Sequence, residues 1–277
     1  MIKGTTRLAA VIGWPIDHTR SPQMLNAAFA SAGLDAVMIP VGVPPAQLAT
    51  VVAGLRASRA LGASVTVPHK LAALALCDEL SPAAREIGAV NCLHFADERI
   101  VGHNTDADGF VDALVGAGFD RSSPRHVVLL GGGGAARGVA SGLRGHNIAS
   151  DLQVIARRPE AVTWTPAVAW TKAALIDAFA RADLVVDCTT IGLGGSDEAT
   201  QVDALPVDAL RPHAWTATLV YHRPTIWLER TRARGHSTLD GRAMLVHQGA
   251  RAFSIWTGRP APIDAMARAL DDSLRGT

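Results

Sequence analysis

Residues 127 to 136 read VVLLGGGGAA, a chemically informative stretch of the chain. Val127 to Leu130 form an apolar run with β-branched members, the pattern of a strand buried on both faces. Gly131, Gly133 and Ala136 then fit G-x-G-x-x-G/A. In that pattern the first glycine allows a tight turn, the second lets backbone N–H groups approach a pyrophosphate, and the third small residue seats a helix against the strand. A second apolar run, Leu152 to Ala156, follows at the distance a βαβ unit requires. The expected chemistry is dinucleotide binding by the Gly131–Ala136 loop; the plain alternative is a glycine-rich loop with no partner. The second strand ends in Arg157-Arg158-Pro159, with no acid at its tip. A guanidinium there suits a ribose 2′-phosphate better than a bare diol, which favours NADP(H) and leaves NAD(H) possible. The competing reading is a pair of solvated arginines.

A second group of polar residues is spread over the first third of the chain. Thr19 and Ser21 lie in a loop punctuated by Pro15 and Pro22. Thr66 to Lys70, Ala89 to Cys92 and Gly102 to Asp106 follow short apolar runs. Hydroxyls, amides, one ammonium and one carboxylate meeting at one sheet edge suit a small polyhydroxylated molecule. Singly, each has an ordinary account: Thr66 as a strand residue, Asn91 in a turn, Asp106 as a helix N-cap and Lys70 as a solvated lysine.

The elements that must position these groups alternate. A strand spans Arg7 to Gly13, and a helix from Gln23 to Ala32 has Ser21 as N-cap and closes at Gly33. A strand follows from Ala36 to Val43, a helix from Pro44-Pro45 to Ala57, and a strand from Gly62 to Val67. Further on, helices are expected at Asp106 to Gly118, Lys172 to Ala182 and Thr225 to Arg234, and strands at Asp183 to Thr189 and Trp215 to Tyr221. A glycine loop at Gly192 to Gly195 separates two of them, and residues Gly241 to Thr277 read as helical. The fold class is therefore α/β, with two open α/β domains.

Composition narrows the function. The chain has 277 residues, 48% hydrophobic and 18% charged, with 26 basic against 25 acidic residues. This is a globular composition with no electrostatic case for nucleic acid or an anionic membrane. The densest basic segment, Arg230 to Arg234, suits a solvated helix face near a C-terminus. Three scattered cysteines and no C-x-x-C point to a reducing, cytoplasmic compartment. Ten histidines without H-E-x-x-H or a Cys/His cluster predict no metal site. Neither a signal peptide nor a membrane span is expected.

The blocks together resemble the shikimate/quinate dehydrogenase family. VIGWPIDHTRSP, SVTVPHK, GAVNCL, GHNTDADG, GGGGAAR and DGRAMLVHQGARAFSIWTG are similar to its six blocks and stand in the same order. The resemblance implies an N-terminal substrate domain, residues 1–105, completed by helices in 239–277. It implies a Rossmann NADP-binding domain at 106–238 and a cleft between the two. It implies reversible, NADP-dependent reduction of 3-dehydroshikimate to shikimate. Lys70 and Asp106 would be the catalytic pair. Thr19, Ser21, Thr66, Asn91, Tyr221 and Gln248 would contact substrate. Gly131, Gly132, Gly133, Gly134, Ala135, Ala136, Ala156, Arg157, Arg158, Thr189 and Gly241 would hold the cofactor. The protein is expected as a monomer or homodimer. Met244 and Ala252, at four-residue spacing from Gln248, mark that helix face as buried.

Four positions depart from the family pattern: Thr19 for its first serine, Ser64 and Asp187 for asparagines, and Thr218 for an aspartate. They point to a divergent paralogue and keep a second reading open: a quinate/shikimate dehydrogenase, or an enzyme for a related cyclic hydroxy acid using NAD(P). A non-catalytic metabolite sensor would keep the glycine loop and lose the Lys/Asp pair, and both members are present.

Overall fold

The computed structural model describes residues 2–122, 125–193 and 197–275, so Gly194 and Gly195 of the expected glycine loop lie outside the described residues. The chain divides into two compact units, residues 1–109 with 245–277, and residues 110–244. The divisions fall a few residues beyond the expected 105 and 238, because each lies within a helix.

In chain order the first unit begins with β1 (Arg7–Gly13), α1 (Ser21–Ser31), β2 (Ala36–Gly42), α2 (Leu48–Ala57) and β3 (Gly62–Val65). It continues with β4 (Glu79–Leu80), α3 (Pro82–Ile87), β5 (Cys92–Ala96), β6 (Arg99–His103) and the start of α4 (Asp106–Gly116). β1 lies parallel between β2 and β3, and Ala9 to Ile12 are almost wholly buried, as a strand covered on both faces requires. The sheet order is β2-β1-β3-β5-β6-β4. β5 is antiparallel to β3 and to β6, a hairpin the strand–helix alternation did not foresee. Its tip, Asp97-Glu98, has φ of 48° and 64°, matching the positive dihedrals of a two-residue hairpin turn. Because of this reversal the start of β5 and the end of β6 share the sheet edge where β1 and β3 end. That places Asn91 and Asp106 together, the first from before a strand and the second from after one.

Ser21 is the first residue of α1 and does not cap it; the N-cap is Arg20, which makes no side-chain cap hydrogen bond. The Thr19 Oγ1 instead accepts from the Ser21 N–H at 3.4 Å. Gly33, with φ of +65°, closes α1 as expected. Pro45–Gln47 form a 3-10 turn before α2.

The second unit contains β7 (Arg125–Leu130), α5 (Gly134–Gly145), β8 (Ala149–Ala156), β9 (Ala167–Ala169), α6 (Lys172–Arg181) and β10 (Leu184–Asp187). α7 (Glu198–Asp203), β11 (Trp215–Thr218), α8 (Ile226–Ala233) and β12 (Ser237–Leu239) complete it. All strand pairs are parallel, in the order β12-β11-β10-β7-β8-β9. Strand order reverses between β7 and β10, so the doubly wound rule puts a ligand crevice outside the carboxyl ends of those strands. Arg230 and Arg234 in the basic segment pair with Asp203 and Asp208, whereas Thr231 is fully buried, its hydroxyl 2.7 Å from that of Thr216.

The expected helical C-terminus is two helices, α9 (Gly241–Thr257) and α10 (Ile263–Arg275). Gly258, with φ of +67°, and two prolines beyond it end the first. Phe253 and Trp256 of α9 and Met266 and Leu270 of α10 join Met24, Leu25 and Phe29 of α1 in one core of the first unit. Trp256 Nε1 donates to Leu93 O at 2.9 Å. A Cβ on Gly62 would lie 2.2 Å from that same nitrogen, so β3 needs glycine there for α9 to seat.

Candidate active site and dinucleotide groove

In the first unit the backbone delivers Lys70 from the turn after β3. His69 N–H donates to Thr66 O at 2.9 Å, and the buried His69 ring places Nε2 2.7 Å from Val43 O. The Trp14–Pro15 and Val67–Pro68 peptide bonds are cis. Lys70 Nζ lies 2.6 Å from Asp106 Oδ2 at the start of α4. The other Asp106 oxygen accepts from Asn91 Nδ2 at 2.9 Å. Asn91 also donates to Thr105 Oγ1 at 3.0 Å and accepts from the Thr105 N–H at 2.7 Å. Asn104 accepts from the Asp106 N–H at 3.1 Å and donates to Ala89 O at 3.0 Å. Asn91, Asn104 and Thr105 are buried, while Lys70 and Asp106 keep 33% and 18% of their side-chain surface. A buried amide–hydroxyl frame thus aims a solvent-touching ammonium–carboxylate pair outward, an arrangement that can hold a proton next to a hydroxyl.

Of the sequence-derived residues, Lys70, Asp106 and Asn91 share one network. Ser21 is buried and Thr19 half-buried beside it in the chain, linked through the bond already described. Thr66 packs its methyl where a Cβ on Gly13 would be, 2.5 Å away. Gln248 is half-buried, donates to Leu245 O of its own helix at 2.8 Å, and packs its backbone against Gly109. Ala252 is buried as expected; Met244 is only partly so. No side-chain hydrogen bond among the described residues ties Thr66 or Gln248 to the Lys70–Asp106–Asn91 network. His69, Asn104 and Thr105 were not singled out from sequence, although GHNTDADG contains two of them.

In the second unit the glycine loop joins β7 to α5. Gly131 has φ of +95°. A Cβ on Gly132 would strike Val162 at 2.2 Å, and Gly133 is the N-cap of α5. Gly133 and Gly134 have no atom within 4 Å of a built Cβ, so the N-terminus of α5 is open to an anion. Ala135 is exposed; Ala136 is fully buried against the sheet. A groove of about 460 Å³ runs along Gly131–Gly133, Ala156–Arg158, Trp170 and Cys188–Thr190. It lies where the strand order reverses. Arg157 stacks over the Trp170 ring at 5.5 Å and donates to Gln201 Oε1 at 3.0 Å, which holds the guanidinium at the groove. Arg158 is exposed and also lines it. Trp170 and Gln201 were missed in the sequence because they lie on other elements. These residues fit a dinucleotide carrying a 2′-phosphate.

Thr189 donates its hydroxyl to Asp187 Oδ1 at 2.6 Å and accepts from the Ile191 N–H at 3.0 Å. Asp187 is only 2% exposed, and burial pushes its carboxyl up to about 6, against the pull of the Thr189 bonds and the Arg157 charge. Burial also pushes the neighbouring Cys188 thiol well up. Tyr221 is half-buried with its ring edge-on to His222 at 5.9 Å. Gly241 is packed so that a Cβ would lie 2.2 Å from Leu219 O. Thr218 is buried and Ser64 sits inside β3 opposite Cys92.

Residues 11–93 match the family described as the shikimate dehydrogenase substrate binding domain, and residues 241–270 the shikimate 5′-dehydrogenase C-terminal domain. Shikimate dehydrogenase (NADP(+)) of Moorella thermoacetica is 41% identical over 286 residues, covering 99% of this chain and 95% of that protein. The chain belongs to the shikimate dehydrogenase family. Shikimate 5-dehydrogenase of Thermus thermophilus, solved in complex with NADP(H) and shikimate, superposes with a TM-score of 0.85 at 32% identity, covering 96% of this chain and 99% of that one. The ligand-free 5-ketofructose reductase of Gluconobacter sp. strain CHM43 has the same TM-score of 0.85 at 30% identity, covering 98% and 100%. Members of this fold thus include reductases whose names carry a different keto substrate.

No described helix is long and apolar enough to cross a membrane. Among the described residues no group of three or more His, Cys, Asp or Glu could hold a metal ion.

Proposed function

We propose that this chain is an NADP-dependent shikimate dehydrogenase, interconverting 3-dehydroshikimate and shikimate. The observation that carries the reading is the Lys70–Asp106 pair at 2.6 Å, fixed by the buried Asn91–Thr105 frame. Membership of the family supports the choice of substrate. NADP(H), when bound, supplies or accepts the hydride. Lys70 holds the proton at the ring oxygen: its ammonium donates as a carbonyl becomes an alcohol, and its amine takes the proton back in the reverse direction. Its charge also stabilises the developing alkoxide. Asp106 holds Lys70 in place and accepts from the substrate hydroxyl. Thr19, Ser21, Thr66, Asn91, Tyr221 and Gln248 bind the substrate's carboxylate and hydroxyls.

The first unit serves as the substrate domain and the second as the dinucleotide domain. Gly131 to Ala136 receive the pyrophosphate, with Ala156, Arg158, Thr189 and Gly241 shaping the site. Arg157 takes the 2′-phosphate. The protein acts in the cytoplasm as a monomer or homodimer; its three free cysteines suit a reducing compartment. The test is a spectrophotometric assay at the reduced-nicotinamide band, with shikimate and quinate each offered with NADP and NAD. Turnover of shikimate with NADP is the expected result, and none with any combination refutes the reading.

Arg157→Ala raises the Michaelis constant for NADP(H) about 10-fold or more, since it removes a charge-assisted bond of roughly 1.5–3 kcal/mol, and leaves that for NAD(H) nearly unchanged. An equal rise for both cofactors would remove Arg157 from phosphate recognition.

A second reading rests on Thr19, which adds a methyl to the hydroxyl pair it makes with Ser21, and on the fold shared with a 5-ketofructose reductase at a TM-score of 0.85. Under it, another polyhydroxylated or cyclic hydroxy acid or ketone is the preferred partner of the same Lys70–Asp106 pair. Including quinate and 5-ketofructose in the assay panel decides between the two.

A further inference from the structure

A recess of about 710 Å³ opens in the first unit at the end of the sheet opposite Lys70. Its polar lining comes from Arg7 at the start of β1, Arg56 and Arg59 at the end of α2, and Asp97 and Glu98 of the β5–β6 hairpin, with Phe95 beside them. β1 runs from Arg7 to Gly13, and the Trp14 N–H bonds Val67 O beside the Lys70 turn. The recess and that turn are therefore separated by the length of the strand, about 20 Å.

Its lining brings exposed side chains of both charge signs to one recess. Arg99, Arg125, Arg181 and Arg234 are each closed by a carboxylate. The side chains of Arg7, Arg56, Arg59, Asp97 and Glu98 make no hydrogen bond or ion pair with any described residue, although both signs face one recess. Arg59, Asp97 and Glu98 have φ of 58°, 48° and 64°, so each of these three holds a left-handed backbone. Burial, with the Arg7 charge and against the Asp97 charge, holds the nearby His94 imidazole below its ordinary pKa. The recess volume lies within the roughly 300–1,000 Å³ typical of small-molecule sites.

We propose that this recess binds an α-amino acid with an aromatic side chain. Guanidiniums take the carboxylate in bidentate fashion, and the two hairpin carboxylates take the ammonium. The ring lies on Phe95 and on the planar face of a guanidinium. A polyphosphate or nucleic acid would be repelled by Asp97 and Glu98, and a simple anion would leave them unmatched. The assignment is independent of the proposed activity.

Isothermal titration of the full chain with L-phenylalanine tests it. Saturable binding is expected. 3-Phenylpropanoate, phenethylamine and L-alanine, which lack the ammonium, the carboxylate and the ring, are each expected to bind at least about 10-fold more weakly. Arg59→Gly removes one guanidinium at a position whose backbone suits glycine, so folding is spared; a loss of affinity of about 10-fold or more is expected. Arg56→Gln gives an independent arm with the same expectation. Saturating shikimate leaves the binding unchanged, as does Lys70→Ala. Absence of a saturable signal up to about 10 mM, weaker than any useful Kd, overturns the proposal. So does unaltered affinity in both arginine variants, or displacement by shikimate, which would place L-phenylalanine in the Lys70 site.

Discussion

Lys70→Ala is expected to lower turnover roughly 10²-fold or more, with the affinity for NADP(H) almost unchanged. The reasoning begins with geometry. Lys70 is delivered by a turn pinned at two points, the His69 N–H to Thr66 O and the His69 ring to Val43 O. Its Nζ is the partner of Asp106 Oδ2 at 2.6 Å, while Asp106 Oδ1 is occupied by Asn91. In the proposed role, removing the ammonium takes away both the proton held at the ring oxygen and the charge facing the developing alkoxide. The dinucleotide groove is built from residues of the second unit, so equilibrium binding of NADP(H), followed by fluorescence titration, remains near the wild-type value. Because Lys70 keeps a third of its surface, its truncation leaves no large cavity, and the melting midpoint changes little. Near-normal turnover would remove Lys70 from the chemistry. A fall in turnover accompanied by an equal loss of thermal stability would assign it to folding.

The dinucleotide half was the more legible from sequence, because its signal is local. A four-residue strand core, a glycine turn and a small-residue helix start are contiguous, and each follows from backbone sterics and helix–strand spacing. What completes that groove is not contiguous. Trp170 and Gln201 reach Arg157 from β9's end and α7, and only the parallel order of β7, β8 and β10 brings them together. The substrate half was legible as a set of polar loops but not as a network. Asn91 meets Asp106 because β5 runs antiparallel, and alternation of strand and helix signals carries no information on that reversal. Ser21 was assigned the cap that its sequence position before a proline suggests, yet the helix starts one residue earlier, since Ser-Pro can both occupy its first turn. The break between α9 and α10 was readable in Gly258 and the prolines after it, but the apolar spacing on either side has one period and concealed the stop.

Asp187→Asn is expected to stabilise the protein at pH 7.5 by roughly 1–3 kcal/mol, and by progressively less as pH falls toward 4. Asp187 ends β10 and is 2% exposed, and burial raises its carboxyl from the ordinary 3.8 to about 6. A folded-state pKa above the unfolded one means the native protein binds more protons between those two values. Stability associated with the protonated form is therefore complete below about pH 4 and is lost as pH rises through about 6. At pH 7.5 the wild type carries an ionised carboxylate inside the sheet edge, opposed only in part by the Thr189 N–H at 2.9 Å and hydroxyl at 2.6 Å. Asparagine keeps an oxygen for those two donors and never ionises. Thermal melts of both proteins from pH 4 to 8 should show curves that meet at the acid end and separate through pH 6. The same ionised carboxylate acts on Arg157, which faces the groove and holds the expected position for a 2′-phosphate. Removing it strengthens the positive field there, so the Michaelis constant for NADP(H) falls in Asp187→Asn at pH 7.5 while that for NAD(H) moves less. Parallel melting curves over the whole range would mean that Asp187 stays protonated or reaches water. They would also remove the ground for the cofactor effect, because the two share one charge.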